Sequence, residues 1–125
     1  MRNIIYFILL FTLAGCESRE KKFSLIGKWE LIETHEFSYI AKRTIQIKPK
    51  EEKFFIFKNN NVVVDENGNI GIYKLNGNRL FISSFNQHYL LKYRKEDTDR
   101  MELDFTNSEY ASACDEGCTE VYEKE

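Results

Sequence analysis

The stretch NVVVDENGNIGIYKLNGNRLFISSF, residues 61–85, decides the fold, because it places short β-like runs around tight turns. The turns are Asn67-Gly68 and Asn76-Gly77, since asparagine and glycine tolerate the positive φ angles of two-residue hairpins. The runs between them are rich in β-branched and aromatic side chains, as strands are. The stretch therefore predicts an antiparallel meander, in which strands that are neighbours in sequence pair in space.

The same succession of short apolar runs and polar turns continues along the chain after residue 24. No segment keeps the helical period of about 3.6 residues over a helical length. Many short strands indicate a barrel or a sandwich, and the consecutive hairpins favour the barrel. We therefore predict an all-β fold, a single antiparallel up-and-down barrel of about eight strands, with an acidic turn at 96–99. The predicted strands span residues 25–34, 44–48, 53–58, 61–66, 69–75, 79–85, 87–94, 100–105 and 119–124.

The strands differ in how their apolar residues are placed. Met101, Leu103 and Phe105 alternate with acidic residues and mark one inward face. The runs at 54–57 and 62–64 are apolar on both faces, which is more than a sheet with one buried face needs. Either another element covers the outer side of these strands, or they contact a partner.

The first fifteen residues have the pattern of an export signal. Arg2 supplies a positive charge, residues 4–13 are apolar apart from Thr12, and Ala14-Gly15 precede Cys16. The apolar run is half the length that a helix needs to cross a bilayer, about 20 residues. Its end, LAGC, resembles the lipobox of bacterial lipoproteins. An ordinary secretory signal and an N-terminal core helix are the alternatives.

The lipobox resemblance implies that Cys16 becomes the N-terminus and carries acyl chains, palmitate among them. Two or more chains hold a protein stably on a membrane, since each buried methylene contributes about 0.8 kcal/mol. The chain then divides into a signal peptide (1–15), a polar tether (16–24) and a barrel domain (25–125). Glu17 is not the aspartate that often retains such lipoproteins at the inner membrane. A location in the cell envelope follows, with the outer membrane favoured.

The cysteine count supports an exported protein. Once Cys16 carries lipid, Cys114 and Cys118 remain, in the sequence CDEGC. Because the export compartment is oxidising, we predict a disulfide between them. The three intervening residues must turn, since bridged Cα atoms lie about 4.4–6.8 Å apart. A metal site that joins both thiolates to His35 or His88 is the alternative, but the spacing is not a familiar zinc pattern, so we predict no metal ligands.

Composition and motifs disfavour two classes of function. The net charge is −2 at pH 7, or −3 without Arg2, and acids and bases are interspersed, so nucleic acid is not a predicted partner. Neither His35 nor His88 accompanies a nucleophile motif, and the chain has no glycine-rich phosphate loop. We therefore predict that the protein is not an enzyme and has no catalytic residues and no cofactor.

Gly27-Lys28-Trp29 resembles the Gly-x-Trp motif of the lipocalin and calycin group. The stretch GIYKLNGNRL, residues 71–80, resembles the middle hairpin of the small lipocalin-like lipoproteins of Bacteroidetes. The resemblance implies an eight-stranded barrel with Gly27 and Trp29 at one end, although Trp29 as an ordinary core aromatic is the alternative. In lipocalins a late arginine stacks over this tryptophan, whereas the last strand here offers Lys124.

The resemblance also implies a lipid-anchored binding module that holds a small apolar ligand. An eight-stranded barrel is either filled by side chains or holds one small ligand. The alternative is a protein-interaction module, such as an accessory of an envelope complex or an enzyme inhibitor, which uses the two-faced strands or the acidic loop at 106–117. The candidate residues for the lining of a ligand cavity are Phe55, Phe57, Met101, Leu103 and Phe105.

Overall fold

A computed structural model describes residues 22–38, 40–111 and 118–125. The predicted signal peptide and Cys16 lie outside these residues. The described chain contains nine strands, one 3₁₀ turn and no α-helix. The strands are β1 (Gly27–Ser38), β2 (Arg43–Ile47), β3 (Phe54–Phe57), β4 (Val62–Asp65), β5 (Ile70–Asn76), β6 (Arg79–Ile82), β7 (Gln87–Arg94), β8 (Asp97–Thr106) and β9 (Cys118–Lys124), and the 3₁₀ turn is Ser83–Phe85.

The nine strands form one antiparallel sheet that closes on itself. From β3 to β9 each strand pairs with the next, and β9 pairs with β1, which pairs in turn with β3. These eight strands form the predicted up-and-down barrel, so the fold class is confirmed. β2 is additional: it pairs with the second half of β1, in line with β3, which pairs with the first half.

The predicted acidic turn at 96–99 is displaced in the structure. The turn occupies residues 95–96, and β8 begins at Asp97, which pairs with Arg94. Thr98 is buried, 8% exposed, rather than lying in a solvated loop. Acidic residues indicate a turn because they need solvent, but a strand at the end of a barrel also leaves alternate side chains in water.

Side chains on the inner faces of the strands fill the barrel. Trp29, Phe55, Leu80, Met101 and Tyr122 come from five different strands, and each is fully buried. Buried aromatic rings whose centroids lie about 4.5–7 Å apart stabilise one another beyond the effect of burial itself. The ring centroids of Phe55 and Tyr122, which lie on different strands, are 5.5 Å apart. The core therefore extends across the barrel interior.

The N-terminal segment Phe23–Ile26, the strap, covers the barrel end that we call the base. The indole Nε1 of Trp29 donates a hydrogen bond to the Leu25 carbonyl over 2.8 Å, and the ring of Phe23 stacks on Tyr93 at 4.2 Å. Phe23 and Ser24, assigned to the tether from the sequence, therefore lie against the barrel. The described residues include no helix that is long and apolar enough to span a membrane.

Candidate functional site

The five candidate lining residues all belong to the barrel interior or its rim. Phe55, Phe57, Met101 and Leu103 are at most 1% exposed. They belong to a single cluster of buried residues, and Phe105 is half-buried and packs against that cluster. The structure thus brings these residues together, and their side chains contact the protein's own core.

A polar cluster lies among the buried side chains at the opposite barrel end, which we call the mouth. The carboxylate of Glu120, 6% exposed, accepts hydrogen bonds from Lys53 Nζ at 2.9 and 3.2 Å. The hydroxyl of Tyr122 donates to the same carboxylate over 3.1 Å. Burial, and next the charge of Glu120, raise the pKa of Tyr122 well above its ordinary value. Lys53 and Glu120 are 67 residues apart, so no local sequence pattern could have indicated this pair.

Asp65 organises the turn between β4 and β5 at the mouth. Its carboxylate accepts hydrogen bonds from the backbone N–H groups of Asn67 and Asn69, at 3.0 and 2.8 Å, and from the Asn69 side chain at 3.0 Å. Burial by itself would raise the pKa of Asp65, but these hydrogen bonds and the charge of Lys53 lower it overall. The turn Asp-x-Asn-Gly-Asn is thus stabilised by hydrogen bonds to an ionised aspartate.

A pocket of about 430 Å³ opens beside the polar cluster. Phe105 is the only candidate lining residue that borders this pocket. Thr106 also borders it, and the Thr106 hydroxyl is buried with no hydrogen-bond partner among the described residues. The other lining residues are Thr34, Glu36, Gln87, Cys118, Thr119 and Glu120. Most of these residues are of polar types, but their carbon atoms contribute the larger part of the pocket surface.

The two histidines lie in separate local environments. His35 Nε2 is 3.1 Å from the carboxylate of Glu33. His88 lies between the rings of Phe81 and Tyr110, at centroid distances of 4.5 and 5.1 Å. Within residues 22–38, 40–111 and 118–125, no three His, Cys, Asp or Glu side chains are grouped so that they could hold a metal ion. Both histidines thus have structural contacts in the described part of the chain.

The most distinctive surface is the outer side of β3, β4 and β5. Ile56 pairs with Val64, Val64 pairs with Ile70, and Val62 pairs with Ile72, so the apolar side chains form continuous rows across the three strands. The side chains of Ile70 and Ile72 are 72% and 58% exposed. We call this surface the outer apolar face; it consists of Phe54, Ile56, Val62, Val64, Ile70 and Ile72.

The sequence indicated only part of this face. The two-faced runs at 54–57 and 62–64 were predicted, but the contribution of β5 was not. Alternation in β5 suggests that Ile70 and Ile72 point inward, whereas Gly71 and Tyr73 are the buried residues. Gly71 is enclosed because a Cβ atom at this position would lie 2.7 Å from the side chain of Ser84. Gly71 therefore packs against the 3₁₀ turn, and Ile70 and Ile72 lie on the opposite side of β5.

Lysines border the outer apolar face. Lys28 Nζ lies 4.3 Å from the centroid of the Phe54 ring, and Lys58 and Lys74 are exposed beside the face near the base. Lys28 also forms an ion pair with Glu125 at 3.4 Å. Glu30, opposite Phe54, is an acidic residue at the same border, so the border is mainly but not wholly cationic. A mainly cationic border complements an acidic one.

The lipid and disulfide predictions fall mainly outside the described residues. Cys118 begins β9 opposite Glu36, but Cys114 and the second half of the acidic loop, residues 112–117, are outside, as is Cys16. The disulfide and the acylation therefore stay predictions.

Gly27 and Trp29 lie at the barrel base. Lys124 lies over Trp29, with its Nζ 5.2 Å from the centroid of the indole ring. Gly27 has a φ of +134°, and a Cβ atom there would lie 2.6 Å from Cε of Lys124. No family model, curated protein or solved structure matches this chain, so its fold is established by the structure alone.

Proposed function

We propose that this protein is a lipid-anchored envelope lipoprotein whose barrel binds another protein through the outer apolar face. The observation that carries the proposal is the exposure of Ile70 and Ile72 within continuous apolar rows. Scattered apolar side chains are normal on a protein surface, but a contiguous exposed apolar patch indicates an interaction site.

The shape and chemistry of the face suggest the partner. β-branched side chains on neighbouring strands form a broad surface that suits a second sheet or the apolar side of a helix, packed about 10 Å away. The lysine border at Lys28, Lys58 and Lys74 favours a partner whose own border is acidic. We therefore propose a protein with an apolar patch flanked by Asp and Glu.

The proposed anchor limits where the partner is found. Lys22, the first described residue, lies six residue steps after Cys16, with five residues between them. A fully extended segment of that length spans about 20 Å. Since the strap holds the following residues on the base, the barrel stays close to the membrane that carries the acyl chains. The partner is then an envelope protein that is accessible near that membrane.

The proposal is tested by photo-cross-linking in intact cells. A photoreactive amino acid at Ile72 should give a discrete protein adduct, and the additional substitution Ile70→Asp should reduce that adduct at least tenfold. Ile40 is the matched control, since it is an isoleucine that is 99% exposed and lies outside the face. Because Ile70 is 72% exposed, Ile70→Asp should leave the free energy of unfolding within about 0.5 kcal/mol.

Three results would contradict the proposal. Equal yields of adduct at Ile72 and Ile40 would show that the adducts come from random encounters. Adducts to lipid alone would show that the outer apolar face rests on the membrane. If fatty-acid labelling leaves the protein unmodified, the proposed lipid anchor is wrong. Binding through the outer apolar face can then still be tested with the purified protein in the absence of detergent.

A small apolar ligand is the second candidate, and Phe105 at the pocket of the mouth favours it. Native mass spectrometry of protein purified from its own envelope should then detect a bound molecule, and Phe105→Ala should remove it. Protein that is repeatedly free of ligand would exclude this candidate without affecting the outer apolar face.

A further inference from the structure

β2 is the strand whose hydrogen-bonding edge is left open. Each of the eight barrel strands has a neighbour on both sides, whereas β2 pairs with β1 alone among the described residues. A closed barrel has no free edge, so the open edge of β2 exists only because this strand is additional to the barrel. Unpaired N–H and C=O groups along such an edge can pair with another strand.

The side chains of β2 are those of a half-covered strand. Ile45 and Ile47 are partly buried, and they alternate with exposed Thr44 and Gln46. Pro49 follows soon after the strand and has no backbone N–H to donate. The open edge therefore offers a ladder of about five residues, which ends near the proline.

The strand and its immediate flanks carry only positive charge, and acidic residues lie beside them at Glu36, opposite Ile45 on β1, and at Glu51 and Glu52 after the run. Residues 42–50, KRTIQIKPK, contain four basic residues and no acidic one. All four basic side chains are exposed, and no ion pair joins them to other described residues: Lys42, Arg43, Lys48 and Lys50. An isolated positive run of this kind repels a second copy of itself and attracts carboxylates.

We propose that the open edge of β2 binds an extended acidic peptide segment of another protein by strand addition. Main-chain hydrogen bonds supply the affinity in this mode, and alternate side chains supply the selectivity. A second copy of this chain is the less suitable occupant, because antiparallel pairing of two β2 edges brings the two positive runs together. The site is separate from the outer apolar face, which is formed by β3, β4 and β5, so the two proposals stand or fall independently.

The test uses two synthetic peptides of seven residues, one alternating glutamate with valine and one alternating lysine with valine. Hydrogen exchange of the full chain is measured with each peptide. The glutamate peptide should slow exchange at residues 43–47 at least tenfold, and the lysine peptide should not. Raising the salt concentration from 0.05 to about 0.5 M should weaken the glutamate peptide several-fold, because exposed charges are then screened.

Two double variants separate the site from general charge attraction. Lys48→Glu with Lys50→Glu should weaken the glutamate peptide at least tenfold and improve the lysine peptide. Arg94→Glu with Lys95→Glu, two exposed cations at the end of β7 and in the turn that follows it, should change neither.

Any of three results would overturn the assignment. The first is protection that appears at β5 or elsewhere instead of at β2, and the second is equal protection by both peptides. The third is a dimer in solution whose formation protects β2 without peptide, which would make a second copy the occupant. Unchanged circular dichroism of both double variants establishes that they are folded.

Discussion

At the scale of single residues, the base of the barrel shows what surrounds Gly27 and Trp29. Lys124 Nζ donates a hydrogen bond to the carbonyl of Ser24 over 2.9 Å while it lies over the Trp29 ring. The stem of this lysine occupies the space that a side chain at Gly27 would need. The positive φ of Gly27 adds a second reason for glycine at this position, since residues with a Cβ rarely adopt it.

Asp65 provides a prediction at this scale. Asp65→Ala should lower the free energy of unfolding by about 2–4 kcal/mol, because the N–H groups of Asn67 and Asn69 lose a charged acceptor. Asp65→Asn should cost about half as much, since its amide oxygen can still accept these bonds. Urea unfolding at pH 7 measures both values.

The pH dependence of Asp65 has a definite sign. The folded protein holds the pKa of Asp65 below its ordinary value of 3.8, so the aspartate stabilises the fold fully at neutral pH. That contribution is lost as the pH falls below about 4 toward the lowered pKa. Asp65→Asn should therefore flatten the stability curve between about pH 4 and pH 2, and an equally steep curve in this variant would contradict the assignment.

At the scale of elements, the strap tests how much the segment before β1 belongs to the domain. Phe23→Ala should lower the free energy of unfolding by about 1–2 kcal/mol, because the half-buried ring loses its stacking on Tyr93 and its contact with Trp29, 5.8 Å away. Urea unfolding measures the change, and Ile40→Ala, at a fully exposed position, is the control. An unchanged free energy of unfolding would mean that Phe23 does not stabilise the barrel and belongs with the tether.

The elements also show how far local sequence patterns reach. Every predicted strand has a counterpart, because hairpin turns such as Asn67-Gly68 and Asn76-Gly77 depend only on residues next to each other. The first residues of β8 were missed, since pairing between Arg94 and Asp97 extends the hairpin beyond what the acidic run suggested. The facing of β5 was missed as well, because it depends on contact between Gly71 and Ser84.

At the scale of the whole molecule, the barrel interior holds tyrosines that resist ionisation. Burial, and next the charge of Glu120, raise the pKa values of both Tyr89 and Tyr122. Unfolded tyrosine releases its proton near pH 10 while the folded barrel retains it, so the unfolded state gains stability as the pH rises. We expect a steep loss of stability above about pH 10.

Tyr122→Phe isolates one contribution to this loss. The variant should be less stable at pH 7 by about 2 kcal/mol, since its hydrogen bond to Glu120 is removed. Above pH 10 its stability should fall less steeply, by up to about 1.4 kcal/mol for each pH unit. Urea unfolding between pH 7 and pH 11 measures both, and an identical slope in the two proteins would mean that Tyr122 is accessible to hydroxide.

The sequence by itself determined the strands, the turns and hence the meander, because these depend on the alternation and turn chemistry of adjacent residues. Only the tertiary structure decided which surfaces are available for binding. Closure of β9 on β1 leaves β2 with an open edge, and the same closure brings Lys53 to Glu120. Gly71 of β5 packs against Ser84 in the 3₁₀ turn, and Ile70 and Ile72 on either side of it are exposed. Such features depend on residues far apart in the chain, whose proximity exists only after the barrel has closed.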